Sequence, residues 1–201
     1  MNLPIHIKGI IFDLDGTLVE SSLDFDLIRQ QIGCPNGIDL LKYIDELSCK
    51  ATQANANKII LEHEYQDAMS AKPIKGMTEL ISAIEAAKLP TAIVTRNSLA
   101  ASAMKVTQNN IAIDHVLTRE HFPAKPAPDA LLAIATQWQI NPQQIIYVGD
   151  YLYDIQAANN AGMIACLINH GIERDYQHLA DIVIEELSQL QPLLTNSLPS
   201  D

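Results

Sequence analysis

The sequence predicts an α/β fold: a Rossmann-like parallel sheet with helices on both faces, and a small all-helical segment inserted after the first strand. Three observations carry this. Short runs rich in Ile and Val alternate with longer stretches of helical periodicity, the pattern of right-handed strand–helix–strand units. From Glu20 to Lys75 the periodicity is helical and no strand-like run occurs. Three of the apolar runs end on residues able to do chemistry: Asp13 and Asp15, Thr95, and Asp150. In open parallel sheets, ligands bind beyond the carboxyl ends of the strands, so these ends should meet in space.

The elements follow in order. "GIIFDL" (9–14) is the first strand. In the insertion, Leu23, Leu27, Ile28 and Ile32 mark a short helix, and "GCPNG" (33–37) a turn. Ile38, Leu41, Ile44 and Leu47 recur at helical spacing, and 56–71 reads as a further helix before the chain returns through "KPIKG" (72–76). The remainder alternates: helix 76–88, strand "TAIVT" (91–95), helix 99–110, strand "DHVLT" (114–118), helix 128–140, then strands "QIIYVG" (144–149), "MIACLI" (163–168) and "DIVIE" (181–185). The expected division is a core of residues 1–19 and 76–201 and a helical domain of residues 20–75. That helical domain hangs over the carboxyl end of the first strand, where a lid belongs.

Bulk properties narrow the function. The 201 residues carry a formal charge of −11, which argues against nucleic acid and an anionic membrane surface as partners, since both are bound through basic patches. A small anionic substrate held by a few placed cations remains open. Three scattered cysteines, Cys34, Cys49 and Cys166, suggest neither a disulfide framework nor a zinc site. "MNLPIHIKGIIFDLDGT" is broken by Pro4, His6, Lys8 and Asp13, so it does not read as a signal peptide, and no stretch approaches membrane-spanning length. The expectation is a soluble cytoplasmic protein, monomeric or homodimeric.

Taken alone, Asp13 and Asp15 also read as turn chemistry, Asp150 and Asp154 as a helix N-cap with a first-turn acid, Asn97 as a helix cap, and Lys125 as a loop lysine. Their order along the chain adds a second reading. "DLDGT" after the first strand, "VTRN" after the second, "AKPAP" before a helix and "VGDYLYD" after a later strand resemble the four motifs of the haloacid dehalogenase-like hydrolase superfamily. With the helical insertion, the chain is similar to its phosphoglycolate phosphatase-like branch.

The resemblance implies phosphate monoester hydrolysis. A carboxylate can attack phosphorus and split one slow step into two. Asp13 would be that nucleophile, and Asp15 would protonate the leaving oxygen and later take a proton from water. Gly16 and Thr17 would shape the turn that follows. Mg²⁺ would be held by Asp13, the Asp15 carbonyl and Asp150, with Asp154 in support. Lys125 would neutralise phosphate oxygens, Thr95 would hydrogen-bond one, and backbone N–H groups near Arg96 and Asn97 would add donors. Asp15 argues against halide chemistry, because a departing halide needs no proton. Tyr151 stands where many relatives carry Ser, which alters the wall of the site rather than the chemistry.

The substrate would be a small phosphorylated metabolite selected by the insertion, where Arg29, Lys42, Lys50, Lys58 and His63 lie, with Arg96 beside Thr95. For each of these a solvated surface is the competing reading, and Trp138 reads as packing. Two rivals stand: a phosphomutase of the same branch acting on a sugar phosphate, and a non-catalytic binding protein on this scaffold.

Overall fold

The computed structural model describes residues 7–192; residues 1–6 and 193–201 of the expected core fall outside them. Its centre is one sheet of β1 (Gly9–Phe12), β2 (Thr91–Val94), β3 (Val116–Leu117), β4 (Ile145–Gly149), β5 (Ile164–Ile168) and β6 (Ile182–Ile184). The order across the sheet is β3-β2-β1-β4-β5-β6, and every pairing is parallel. The chain walks outward from β1 to β3, then restarts on the other side of β1 with β4. The crevice of this topology therefore opens between the ends of β1 and β4.

Side chains alternate across each strand, and both faces are covered. Ile10 and Phe12 point into one cluster with Met77, Leu80 and Ile84 of α4 (Met77–Ala86) and Leu187 of a 3₁₀ turn at Leu187–Leu190. Ile11 points the other way, toward Leu131 and Ile134 of α6 (Asp129–Trp138) and Ile155 and Ala158 of α7 (Leu152–Ala161). Each such large side chain contributes roughly 1.5–3 kcal/mol on burial. A Cβ at Gly9 would lie 2.8 Å from the Trp138 ring, so the small residue makes room for the indole, and Trp138 is a packing residue as expected. Val106 of α5 (Leu99–Gln108) packs against the first face.

Between β1 and α4 lie α1 (Phe25–Ile32), α2 (Leu40–Asp45) and α3 (Lys50–Ser70). Asp24 caps α1 by accepting from the Leu27 N–H, and Gly33, at φ 77°, ends it in the left-handed conformation that glycine adopts freely. Asp39 caps α2 through the Lys42 N–H. Ile28, Leu40, Ile44, Ala56 and Ile60 form a separate apolar cluster among these helices. Two legs join them to the rest, where the Glu20 N–H donates to the Lys72 carbonyl and the Ile74 N–H to that of Leu18.

Some boundaries differ from the sequence expectation. The run 114–118 yields only a two-residue strand, because β3 is an edge that pairs with β2 alone and its residues are half-exposed. The helix expected from 56 begins at Lys50, since residues 50–55 suit a helix but carry no large apolar marks that periodicity could register. Among the described residues no helix is long and apolar enough to cross a membrane. Cys34, Cys49 and Cys166 are free thiols.

Candidate active site

The chain leaves β1 at Phe12, and Asp13 follows at once with its N–H still donating to the Val148 carbonyl at 2.8 Å. Three N–H groups, those of Thr17, Leu18 and Val19, then converge on the Leu14 carbonyl and fold the chain into a tight turn. Gly16 sits at φ +71°, and a Cβ there would overlap the Asp150 carboxylate. The glycine thus serves both the turn and the close approach of two loops. Thr17 is fully buried, but its hydroxyl has no partner among the described residues, so it orders the turn by packing rather than by a hydrogen bond.

Lys125 enters from the loop between β3 and α6 and is 4% exposed. Its ammonium donates to Asp13 Oδ1 at 2.6 Å, Asp154 Oδ1 at 2.6 Å and the Tyr147 hydroxyl at 2.8 Å. Asp154 is in the first turn of α7, where its Oδ2 accepts from the Tyr151 N–H at 3.0 Å. The N-cap of α7 is therefore Tyr151, not Asp150, and Asp154 closes the cap from the third helical position. Gly149 lies against it, since a Cβ at Gly149 would overlap Asp154.

Three carboxylates share this corner with one ammonium. Burial raises the Asp13 pKa to about 7; Lys125 pulls it down, and Asp154 pushes it up. Burial, then Asp154 and Asp13, raise that of Asp150 to about 8. Burial alone would lower the Lys125 pKa, but Asp13 and Asp154 outweigh it and hold the side chain as a cation. Asp13, Asp150 and Asp154 can each present an oxygen within 4.8 Å of the others, which makes them a candidate cation site. With both Asp154 oxygens engaged by Lys125 and the Tyr151 N–H, Asp13 and Asp150 are the better-placed donors.

Asp15 is surrounded differently. Its Oδ2 accepts from Asn97 Nδ2 at 2.8 Å and its Oδ1 from Lys105 Nζ at 2.5 Å. Asn97 is thus not the cap of α5; Ser98 is, accepting from the Ala101 N–H. The Thr95 hydroxyl accepts from the Asn97 N–H at 3.2 Å. Burial raises the Asp15 pKa, and Lys105 and Asn97 pull it back. Arg96 pairs with Asp39 at 2.6 Å, lies 4.5 Å over the Tyr153 ring and donates to the Lys125 carbonyl.

A cavity of about 390 Å³ lies over these groups, and every candidate residue drawn from the four motifs except Thr17 lines it. The helical segment lines it with Leu23, Phe25, Leu40 and Ile60, interspersed with Arg29, Asp39 and Glu64. Of the insertion residues considered for substrate reading, Arg29 lines the cavity, although its guanidinium is held on the Pro35 and Ile38 carbonyls. The others turn elsewhere: Lys42 to Glu46, Lys58 to Glu62, Lys50 to Gln53 and His63 to Gln31.

Sequence reasoning missed Lys105, Asp67, Glu64, Arg119 and Tyr147. Lys105 is wholly buried on α5 and also donates to Asp67 Oδ2 of α3 at 2.6 Å. Asp67 accepts in turn from the Ser22 N–H at 2.6 Å and from the Ser21 hydroxyl. Glu64, also on α3, accepts from the Ser98 N–H and pairs with Arg119. A signal existed: Lys105 follows Ala101 by four residues, as Glu64 follows Ile60, so each polar residue continues a buried stripe. Tyr147 sits inside β4 with its hydroxyl donating to the Val94 carbonyl, and nothing in the run "QIIYVG" separates it from a packing residue.

Comparison with known proteins identifies the family. A family model described as haloacid dehalogenase-like hydrolase matches residues 23–168. A haloacid dehalogenase-like hydrolase domain-containing protein of Arabidopsis thaliana is 30% identical, over 96% of this chain and 86% of its own. The N-acetylmuramic acid 6-phosphate phosphatase of Pseudomonas aeruginosa is 28% identical, covering 96% and 97%. A phosphoglycolate phosphatase of Chromobacterium violaceum is 26% identical, covering 98% and 100%. Among solved structures, a hydrolase from Pseudomonas syringae superposes with a TM-score of 0.79 at 18% identity, covering 96% and 100%, and so shares the fold.

Proposed function

Because this chain belongs to the haloacid dehalogenase-like hydrolase family, we propose that it is a Mg²⁺-dependent phosphatase acting on a small phosphorylated metabolite through a phosphoaspartate at Asp13. One observation carries the reading. In a single cavity, the Asp13 carboxylate is held by a buried lysine and the Asp15 carboxylate by separate donors, giving two acids with two environments. The curated relatives that are phosphatases of phosphorylated small molecules support the substrate class.

In the first step an Asp13 oxygen bonds to phosphorus as the ester P–O bond breaks, and Asp15 gives its proton to the departing oxygen. Water then attacks phosphorus, Asp15 takes the proton released, and the bond to Asp13 breaks to free inorganic phosphate. Lys125 offsets the charge on the transferring group, with the Thr95 hydroxyl and the N–H groups near Arg96 and Asn97 as further donors.

The donor set fits a hard divalent cation: the carboxylates of Asp13 and Asp150 and the Asp15 carbonyl are all oxygen. The fit is also electrostatic: burial first, and then the neighbouring carboxylates, raise the pKa values of Asp13 and Asp150, and a bound cation would offset both. When bound, Mg²⁺ would supply the charge that lets a phosphate dianion approach a carboxylate nucleophile. Residues 20–75 act as a cap domain over a core of residues 1–19 and 76–201, a division supported by the separate apolar cluster in the helices.

The test is hydrolysis of p-nitrophenyl phosphate with and without Mg²⁺, followed by a screen of phosphorylated metabolites with Asp13→Asn as the blank. Mg²⁺-dependent phosphate release, cut at least about a thousandfold in Asp13→Asn, is expected. Undiminished turnover in that variant would sink the reading. Return of the phosphoryl group to a second hydroxyl instead of water would move it to a mutase.

A further inference from the structure

Lys105 is a fully buried ammonium that the reaction above leaves unused. It occupies the inward face of α5 beside Ala101 and Ser102, a position where an apolar side chain would pack without the desolvation that an ammonium carries. Buried ion pairs are a poor source of net stability compared with well-packed apolar residues, so stability is a weak reason for a lysine here. What the ammonium does geometrically is specific. It spans two carboxylates, Asp15 at 2.5 Å and Asp67 at 2.6 Å, and with Asn97 on the other oxygen it fixes the plane of the Asp15 carboxyl. Asp67 is itself immobilised: Oδ1 takes the Ser22 N–H and hydroxyl, and Oδ2 takes the Ser21 hydroxyl. Ser21 and Ser22 lie on the chain entering the helical segment, and Asp67 is in the last turn of the helix that leaves it. The anchor behind Lys105 therefore ties both legs of that segment to one point.

We propose that Lys105 is the positioning residue for Asp15, with Asp67 holding Lys105 in place. The inference rests on the reading of Asp15 as the group that moves the proton. A carboxyl on a free side chain samples several rotamers, and proton transfer to a leaving oxygen needs hydrogen-bond reach at the moment the P–O bond breaks. Lys105 and Asn97 remove that freedom. The proton passes from the Asp15 carboxyl to the departing alkoxide and is replaced from the attacking water; Lys105 keeps its protons throughout. No bond to Lys105 forms or breaks.

Leaving-group dependence tests this. p-Nitrophenolate departs without a proton, whereas the alkoxide of benzyl phosphate needs one. The readout is the ratio of kcat/KM for benzyl phosphate to that for p-nitrophenyl phosphate, both measured on one enzyme sample with Mg²⁺. A ratio is insensitive to the fraction of correctly folded protein, and kcat/KM stops at the first phosphoryl transfer. Lys105→Met should lower the ratio by about 30-fold, toward the value set by Asp15→Asn, with Lys105→Arg recovering part of it. Asp67→Asn should move it the same way by a smaller factor, and carries the test if Lys105→Met does not fold. A ratio in Lys105→Met and Asp67→Asn within about threefold of wild type overturns the proposal, whatever happens to the absolute rates. If wild type hydrolyses neither ester, the phosphatase reading falls and takes this inference with it. If wild type hydrolyses both and only the variant ratios stay flat, this inference alone fails.

Discussion

Asp13 and Asp15 are separated by a single residue, yet their surroundings are built from different material. Around Asp13, the surrounding groups Lys125, Tyr147, Asp154 and Asp150 come from the β3–α6 loop, from β4 and the residue after it, and from the first turn of α7, and carboxylates outnumber the ammonium. Around Asp15, the partners are Asn97 from the loop after β2, Lys105 from α5 and, through Asp67, the helical segment, and donors satisfy both oxygens. One corner is short of positive charge and so suited to receive a cation and a phosphate. The other is closed on itself and suited to hold a side chain still. A single strand end can thus supply two carboxylates for different tasks, because task follows from what packs behind each one.

The largest break in this comparison is Lys125→Met. It strips the one ammonium that, among the described residues, bonds Asp13 and Asp154, and leaves both acids buried without that cation. The expected loss is at least about a thousandfold in kcat, with about 3–5 kcal/mol of stability lost in denaturant titration at pH 8. The stability loss should shrink at pH 5, where Asp13, whose pKa burial raises and Lys125 lowers, can protonate. An equal loss at both pH values would mean that the lysine stabilises by packing rather than by charge.

A smaller effect separates the two corners by pH. Asp13 and Asp150, at about 7 and about 8, hold protons that the unfolded chain, with aspartates near 3.8, has already lost. The native state therefore binds more protons between those values, and the metal-free protein loses stability as pH rises from 4 toward 8. Mg²⁺ replaces those protons, so the rise in Tm that it produces should be larger at pH 8 than at pH 6, with apparent affinity gaining up to about tenfold per pH unit for each proton displaced. Equal Tm rises at the two pH values would remove the charge deficit that distinguishes the Asp13 corner.

The two corners also differ in how far the sequence announces them. Asp13, Asp150 and Thr95 stand directly after apolar runs, and in a parallel sheet every strand points its end at the same edge, so their meeting follows from topology. Lys105, Asp67 and Glu64 lie within helices, where a charged residue ordinarily faces water. Whether it does so depends on what packs against the helix, and α3 meets α5 only through the tertiary fold. The same limit applied to Asn97, whose place before a helix suggested a cap while its side chain turned to Asp15 instead. Asp150 was likewise open to a capping role until Tyr151 proved to hold that position.

The smallest expected effect concerns the third link between core and helical segment, the Arg96–Asp39 pair at the cavity wall. Its side chains are 23% and 21% exposed, against 0% and 3% for Lys105 and Asp67. Water reaches this pair, so its attraction is screened and its contribution should stay below about 1 kcal/mol. Asp39→Asn isolates that term, because asparagine still caps α2 through the Lys42 N–H while the charge is gone. The variant should melt within a few degrees of wild type, and added salt should narrow even that gap. A loss of about 3 kcal/mol would instead mean that the helical segment is held at its exposed rim, which the energetics of partly solvated pairs does not support. The buried carboxylates of Glu64 and Asp67, set into the core side by one helix, remain the stronger fastening because removing either takes a carboxylate from a cation held away from water.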